Sequence, residues 1–239
     1  MLTIRPEYLG LKPGQLVVDL GCGHGRHVQA LAWEHPVRIL GLDLDPDSAA
    51  ASRKGLHELL PADDPRCSRC LLAAGDCLDI PLPDNSADHL ICSEVLEHLC
   101  DYNRAVQEIR RVLKPGGTLA VSVPRFWPER VCWALSRDYQ HEPGGHVRIF
   151  QASSLRLEIQ RLGFRFRRSH HAHALHAPYW WLKCLHWSRR EDWPPVRLYH
   201  RLLVWDMLDR PWLTRSLERV LNPVMGKSVV MYFTAYENR

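Results

Sequence analysis

Apolar positions along the first half of the chain switch between two periods. Short apolar runs rich in Val, Ile and Leu occur at 16–20, 37–42, 69–74, 87–92 and 117–123. They are too short for helices and read as strands buried on both faces. Between them, 25–34, 46–59 and 102–112 carry helical spacing; Val28, Leu31 and Ala32 share one face of the first. Pro46 stands at a helix start, where its missing N–H costs little. Lys114-Pro115-Gly116-Gly117 reads as a stop and turn before the fifth strand. This alternation predicts an α/β fold with a mostly parallel sheet, covered by helices on both faces, and a ligand crevice at the carboxyl ends of the strands.

Beyond Pro124 the pattern loosens. Residues 125–150 mix aromatics with charge and read as loop with one short helix. Ser153 to Leu162 is helical with Gly163 as its cap, and 164–170 and 228–236 are strands. Between those strands, 174–226 holds Trp180, Trp181, Trp187, Trp193, Trp205 and Trp212, six of the nine tryptophans. Pro178, Pro194, Pro195, Pro211 and Pro223 divide it into short helical pieces, and Leu213, Leu217, Val220 and Leu221 share a helical face.

The chemistry concentrates at strand ends. The first strand ends in Asp19-Leu20, and glycines follow at 21, 23 and 25 before a helix begins. Glycines let the backbone approach a ligand, and a helix N-terminus offers free N–H groups to a nucleotide-type molecule. The spacing lacks the third glycine of the dinucleotide fingerprint G-x-G-x-x-G. Asp43, at the end of the second strand, suits a carboxylate that accepts from ribose hydroxyls. Further on come Gly75-Asp76-Cys77, Leu82-Pro83-Asp84, the stretch Ala87 to Leu99 with Ser93-Glu94 inside it, and Arg111 to Leu119.

In this order, over residues 14–124, the blocks resemble class I S-adenosylmethionine-dependent methyltransferases of the small-molecule type, similar to quinone-pathway methyltransferases. The resemblance implies a single domain over 1–239 with a Rossmann-like seven-stranded sheet. Its last two strands would be antiparallel, here separated by a helical insertion at 174–226. It implies S-adenosyl-L-methionine as methyl donor and S-adenosyl-L-homocysteine as product. Gly21, Gly23 and Gly25 would approach the methionine part and ribose. Asp19 would order the loop or meet the cofactor's amino group through water. Asp43 would hold the ribose, with Asp45 the better helix cap. Asp76 would accept from the adenine amino group, the Cys77 N–H would face a ring nitrogen, and Leu44 with Leu78 would sandwich the ring. Ser93 would contribute a backbone contact, and His98 would tie its loop.

Glu142 to Phe150 resembles the family's Gly-x-His segment beside the substrate, which makes His146 the candidate base. A histidine titrates near neutral pH and can take a phenol or hydroxyl proton; the alternative is a histidine that only orders its loop. The chain begins shortly before its first strand, so 125–150 and 174–226 are expected to close over the acceptor in place of an N-terminal lid. Aromatic walls suit a bulky, largely apolar small molecule that is phenolic, quinone-like or lipid-like.

Composition narrows the alternatives. A net charge of +4 does not demand nucleic acid. No RNA-binding module is recognisable, which disfavours an RNA methyltransferase, and intact glycines with Asp43 disfavour a non-catalytic cofactor-binding partner protein. The eight cysteines read as buried hydrophobes of a reducing compartment. No signal peptide or membrane span is evident, so a cytoplasmic protein is expected, with peripheral membrane contact through Trp and Arg of 174–226. His170, His171, His173 and His176 form a histidine cluster, but no carboxylate stands near them in sequence; Cys67 and Cys70 make half a zinc site. No metal is expected.

Overall fold

The computed structural model describes residues 2–61, 63–209 and 211–236. Seven strands form one sheet in the order β3-β2-β1-β4-β5-β7-β6. β1 (Leu16–Leu20), β2 (Arg38–Asp43), β3 (Cys70–Ala74), β4 (Ala87–Ser93) and β5 (Leu113–Pro124) run parallel. β7 (Ser228–Ala235) lies antiparallel between β5 and β6 (Phe164–Ala172). The helices are α1 (Arg26–Glu34), α2 (Pro46–Leu59), α3 (Tyr102–Val112), α4 (Phe126–Leu135), α5 (Arg137–Gln140), α6 (Ala152–Arg161), α7 (His176–Leu185), α8 (Pro194–Asp209) and α9 (Trp212–Met225).

Alternate strand residues feed two apolar layers. Val17, Ile39, Ile91, Ala120 and Tyr232 meet Val28 and Leu31 of α1 and Leu56 of α2. Val18, Leu40, Leu90, Leu119 and Phe233 meet Ala105 and Ile109 of α3 and Leu155 and Ile159 of α6. Each fully buried large side chain gains about 1.5–3 kcal/mol from leaving water. Because both faces are covered, the strands read as near-continuous apolar runs. The strand order reverses at β1, which has β2 on one side and β4 on the other. A crevice therefore opens at the carboxyl ends of β1 and β4, where Asp19 and Ser93 stand.

Three local expectations need correction. α3 ends at Val112, as the stop signal predicts, but Lys114 to Gly117 lies inside β5 and not before it. Leu113 pairs with Ala87 and Thr118 with His89, so the register jumps across an irregularity in which Gly116 takes φ 76°; proline and glycine disrupt the ladder locally without ending it. Residues 125–150 are not mainly loop, because α4 occupies 126–135. Pro128 sits in its first turn, where it is tolerated. The insertion is divided at Pro194 and Pro211 as expected, but Pro178 and Pro223 lie inside helices, so the pieces are longer than expected. α8 runs 16 residues and α9 14, with Pro194, Pro195 and Pro211 at helix starts and Pro223 in the last turn of α9.

The insertion is tied down at one end of the sheet. α7 packs on α4 and α8 on α7, while α9 lies against β6. The Trp181 indole donates to the Pro128 carbonyl at 3.1 Å, the Trp127 indole to the Val224 carbonyl at 3.1 Å, and the Arg125 guanidinium to the same carbonyl at 2.9 Å. Trp180, Trp181, Trp187 and Trp193 are half-buried, whereas Trp205 and Trp212 are exposed. Among the described residues, no helix is long and apolar enough to cross a membrane.

Candidate functional site

The turn after β1 is shaped by its glycines. Gly21, Gly23 and Gly25 have φ of 66°, 51° and 79°, a region that favours residues without a side chain. A Cβ at Gly21 would lie 2.4 Å from Val95 Cγ2, and one at Gly25 2.0 Å from Ser52 Oγ. Asp43 holds the turn in place. Its Oδ2 accepts from the Gly23 N–H at 2.8 Å and its Oδ1 from the Asp45 N–H at 3.0 Å. Asp45 caps α2, accepting from the N–H groups of Asp47 and Ser48, so Asp43 has no capping role.

Asp19 is 1% exposed, and among the described residues no hydrogen-bond donor reaches either of its oxygens. Burial pushes its carboxyl up to about 7, with Arg26 drawing it back and Asp43 adding to the rise. His27 Nδ1 lies 3.7 Å away, but burial pushes that imidazole down to about 3, so it supplies no positive charge at neutral pH. Arg26 crosses the floor of the crevice and donates to Ser93 Oγ at 3.1 Å. Ser93 Oγ also pairs with Ser122 Oγ at 2.9 Å, and Ser122 donates to Glu94 Oε1 at 2.8 Å. The Ser93 side chain is thus committed inside the protein. Glu94 has φ 57°, an uncommon conformation for a residue with a side chain.

On the β3 side, Asp76 is exposed and uses Oδ1 to accept from the Leu78 N–H at 2.8 Å. Cys77 is half-buried, and burial pushes its thiol up to about 11. Leu44, beside Asp43, is 74% exposed, while Leu78 packs against the core. Of the two expected adenine neighbours, Leu44 is the more exposed and Leu78 is half-buried.

Beyond Ser93 lies a cavity of about 340 Å³, walled by Arg26, Glu94, His173, His176, Trp180, Met207 and Lys227. Thr3 holds this histidine corner: its Oγ1 lies 3.0 Å from His173 Nε2 and its carbonyl 3.3 Å from His170 Nε2. Burial pushes His170 and His176 down to about 4, so His176 faces the cavity as an uncharged ring.

His146 stands in a neighbouring cavity of about 410 Å³ with His98, Trp133 and Gln140. Its Nδ1 lies 2.7 Å from Glu129 Oε1, which also accepts from the Tyr139 hydroxyl at 2.7 Å. Lys227, which lines the first cavity, lies 3.9 Å from Glu129 Oε2. Burial pushes the Glu129 carboxyl up, but the hydrogen bond from His146 and the Lys227 charge more than offset it, leaving it below the usual carboxylate range. An anionic acceptor at Nδ1 fixes the Nδ1–H tautomer and leaves Nε2 with a lone pair. His98 ties its loop as expected, with Nδ1 3.1 Å from the Gly145 carbonyl.

The sequence alone pointed to Glu94 beside Ser93 but missed Arg26, Glu129, Tyr139 and Lys227. Glu129 carried a signal, being a carboxylate on the buried face of a helix, but only once 126–135 is recognised as helical.

Residues 18–121 match the family profile described as a methyltransferase domain. A Mycolicibacterium smegmatis protein named a probable S-adenosylmethionine-dependent methyltransferase is 32% identical over 151 residues, 63% of this chain and 52% of the relative. The 2-methyl-6-phytyl-1,4-hydroquinone methyltransferase of a Synechocystis species is 30% identical over 141 residues, 55% of this chain and 42% of the relative. The chain thus spans about half the length of these relatives or less. In fold, the chain is similar to a Haemonchus contortus phosphoethanolamine N-methyltransferase 2 solved with phosphomonomethylethanolamine and S-adenosylhomocysteine. The TM-score is 0.62 at 15% identity, covering 98% of this chain and 51% of that one. The glycine turn, Asp43, Asp76 and Ser93 all fall inside the matched region, and over that region the chain carries a domain similar to those of S-adenosylmethionine-dependent methyltransferases.

Proposed function

We propose that this protein transfers the methyl group of S-adenosylmethionine to a bulky, largely apolar small molecule with an ionisable polar atom at its reactive end. The observation that carries this reading is the buried, unpartnered carboxylate of Asp19 beside the Arg26 guanidinium. An amino-acid terminus brings an ammonium and a carboxylate, and Asp19 and Arg26 offer the matching charges. Asp43 keeps lone pairs for ribose hydroxyls, since each oxygen accepts only one backbone N–H and a carboxylate has about four acceptor sites. Leu44 offers its exposed face to a purine, and Asp76 retains an oxygen for the exocyclic amine.

The bound cofactor would supply a methyl group already activated by a positive sulfur. The protein's remaining work is to hold the acceptor in line, exclude water and assist loss of a proton. His146 is the side chain proposed for that last task, because Glu129 holds its ring and leaves Nε2 basic. Helices α4, α5 and α7 to α9 are proposed as the cover of the acceptor space, with Trp180 and Met207 as its apolar surface. The hydroquinone relative supports acceptors of the phenolic or quinone-like kind.

The outer side of the cover supports a route for such molecules. Leu198, Leu202, Trp205, Leu208 and Trp212 are exposed, as are Arg197, Arg201 and Arg215. An apolar face with flanking arginines suits the headgroup boundary of an anionic membrane, where an apolar acceptor would dissolve.

Asp43→Ala should weaken S-adenosylhomocysteine binding by about 1–3 kcal/mol through lost charge-assisted hydrogen bonds. Calorimetry checks this, and equal affinity in both proteins would remove Asp43 from the site. With an identified acceptor, His146→Ala should lower turnover about 10²–10⁴-fold and leave cofactor affinity alone; unchanged turnover would reduce His146 to a loop anchor. The protein should co-sediment with anionic vesicles at low salt, and the Trp205→Ser/Leu208→Ser variant should not. A wild-type protein that stays in the supernatant would leave the cover without a membrane role.

A further inference from the structure

Glu97 is fully buried, at 0% exposure, and neither carboxylate oxygen has a hydrogen-bond partner. A charge removed from water without a partner is strongly disfavoured. A cation would supply that partner.

The surroundings are arranged for one. A carboxylate oxygen of Glu97 and one ring nitrogen each of His98 and His146 lie within 4.8 Å of one another. Both rings are oriented from behind, His98 by the Gly145 carbonyl and His146 by Glu129, which is itself held by Tyr139. An imidazole backed through one nitrogen by a carbonyl or carboxylate is the usual support of a metal-binding histidine, because it fixes the tautomer and raises the basicity of the other nitrogen. His98 and His146 line an open cavity, so coordination positions would remain for an incoming oxygen. Two imidazoles and one carboxylate with open positions form the donor set of a catalytic, not a structural, site, and suit zinc, cobalt, manganese or iron(II).

We propose that Glu97, His98 and His146 bind a divalent transition-metal cation that takes the acceptor's oxygen in an open position. This rests on the acceptor-pocket reading above and deepens it: His146 acts on the acceptor through the cation. A hydroxyl bound to a cation loses its proton more readily. The O–H bond breaks and the proton passes to solvent. The oxygen's electron pair then forms the bond to the methyl carbon while the carbon–sulfur bond breaks, its pair staying on sulfur. The expectation of no metal came from clusters that are contiguous in sequence. Here the second histidine arrives from another loop, and its orienting carboxylate from α4.

The test is metal binding to protein stripped with EDTA, followed by calorimetry with Zn²⁺ and by the visible absorption of added Co²⁺. The wild type should bind one equivalent that Glu97→Gln and His98→Gln abolish. Glu129→Gln should weaken it about 10–100-fold, the effect of losing a group that orients a ligand. His98 is exposed, so its variant tests the site even if Glu97→Gln destabilises the fold. His173→Gln should bind normally, which separates this site from the second grouping of His173, His176 and Glu218. No bound cation, or unchanged affinity in His98→Gln, would overturn the proposal. S-adenosylhomocysteine binding measured on the same samples reports separately on the methyltransferase reading.

Discussion

A carboxylate buried without a partner at the end of β1 is the constraint on which the site depends. Asp19 is placed there by the strand itself, one residue before the chain must turn. A wholly folded interior would satisfy such a group or replace it. Its persistence beside Arg26 makes sense when a ligand completes it. The glycines follow from the same demand, because a side chain at Gly21 or Gly25 would drive Val95 or Ser52 out of position. Asp43 then locks the turn from the neighbouring strand, so two carboxylates define one crevice where the strand order reverses.

Polar networks connect that crevice to its cover. Arg26, Ser93, Ser122 and Glu94 form one chain of hydrogen bonds across the ends of β4 and β5. Glu129, His146, Tyr139 and Lys227 form another, joining α4, α5 and the loop before α6 to the start of β7. Buried networks of this kind hold side chains in one arrangement when every member is satisfied. Glu97 and Asp19 are buried carboxylates without a hydrogen bond among the described residues, and the strained Glu94 stands near them.

Much of the fold was legible because strand and helix periods are local. The run at 16–20, the glycines after it and Asp43 at the next strand end all declare themselves within a few residues. The residues proposed for the cofactor end stand out in the sequence for the same reason. The misreadings share a different cause. Pro128 and the aromatics of 126–135 hide a helix whose stability comes from packing on α7. The prolines of 194–223 fall at helix ends, which spacing alone does not locate. Lys114 to Gly117 remains within a strand because β4 continues to pair on either side of it. Glu129 and Glu97 act through partners distant in sequence, so only the assembled structure joins them to His146 and His98.

Cofactor affinity measured against pH tests the central claim most directly. Burial holds the Asp19 carboxyl up at about 7 in the free protein. Below that pH it is neutral and cannot pair with a ligand ammonium; above it the carboxylate is available. S-adenosylhomocysteine binding, followed by calorimetry from pH 5.5 to 8.5, should therefore strengthen about tenfold per unit up to roughly pH 7 and then level off. Asp19→Asn should bind more weakly and lose this pH dependence. Absence of binding at every pH, or a wild-type profile that the Asp19→Asn variant reproduces, would contradict the assignment of Asp19 as the group that the cofactor completes.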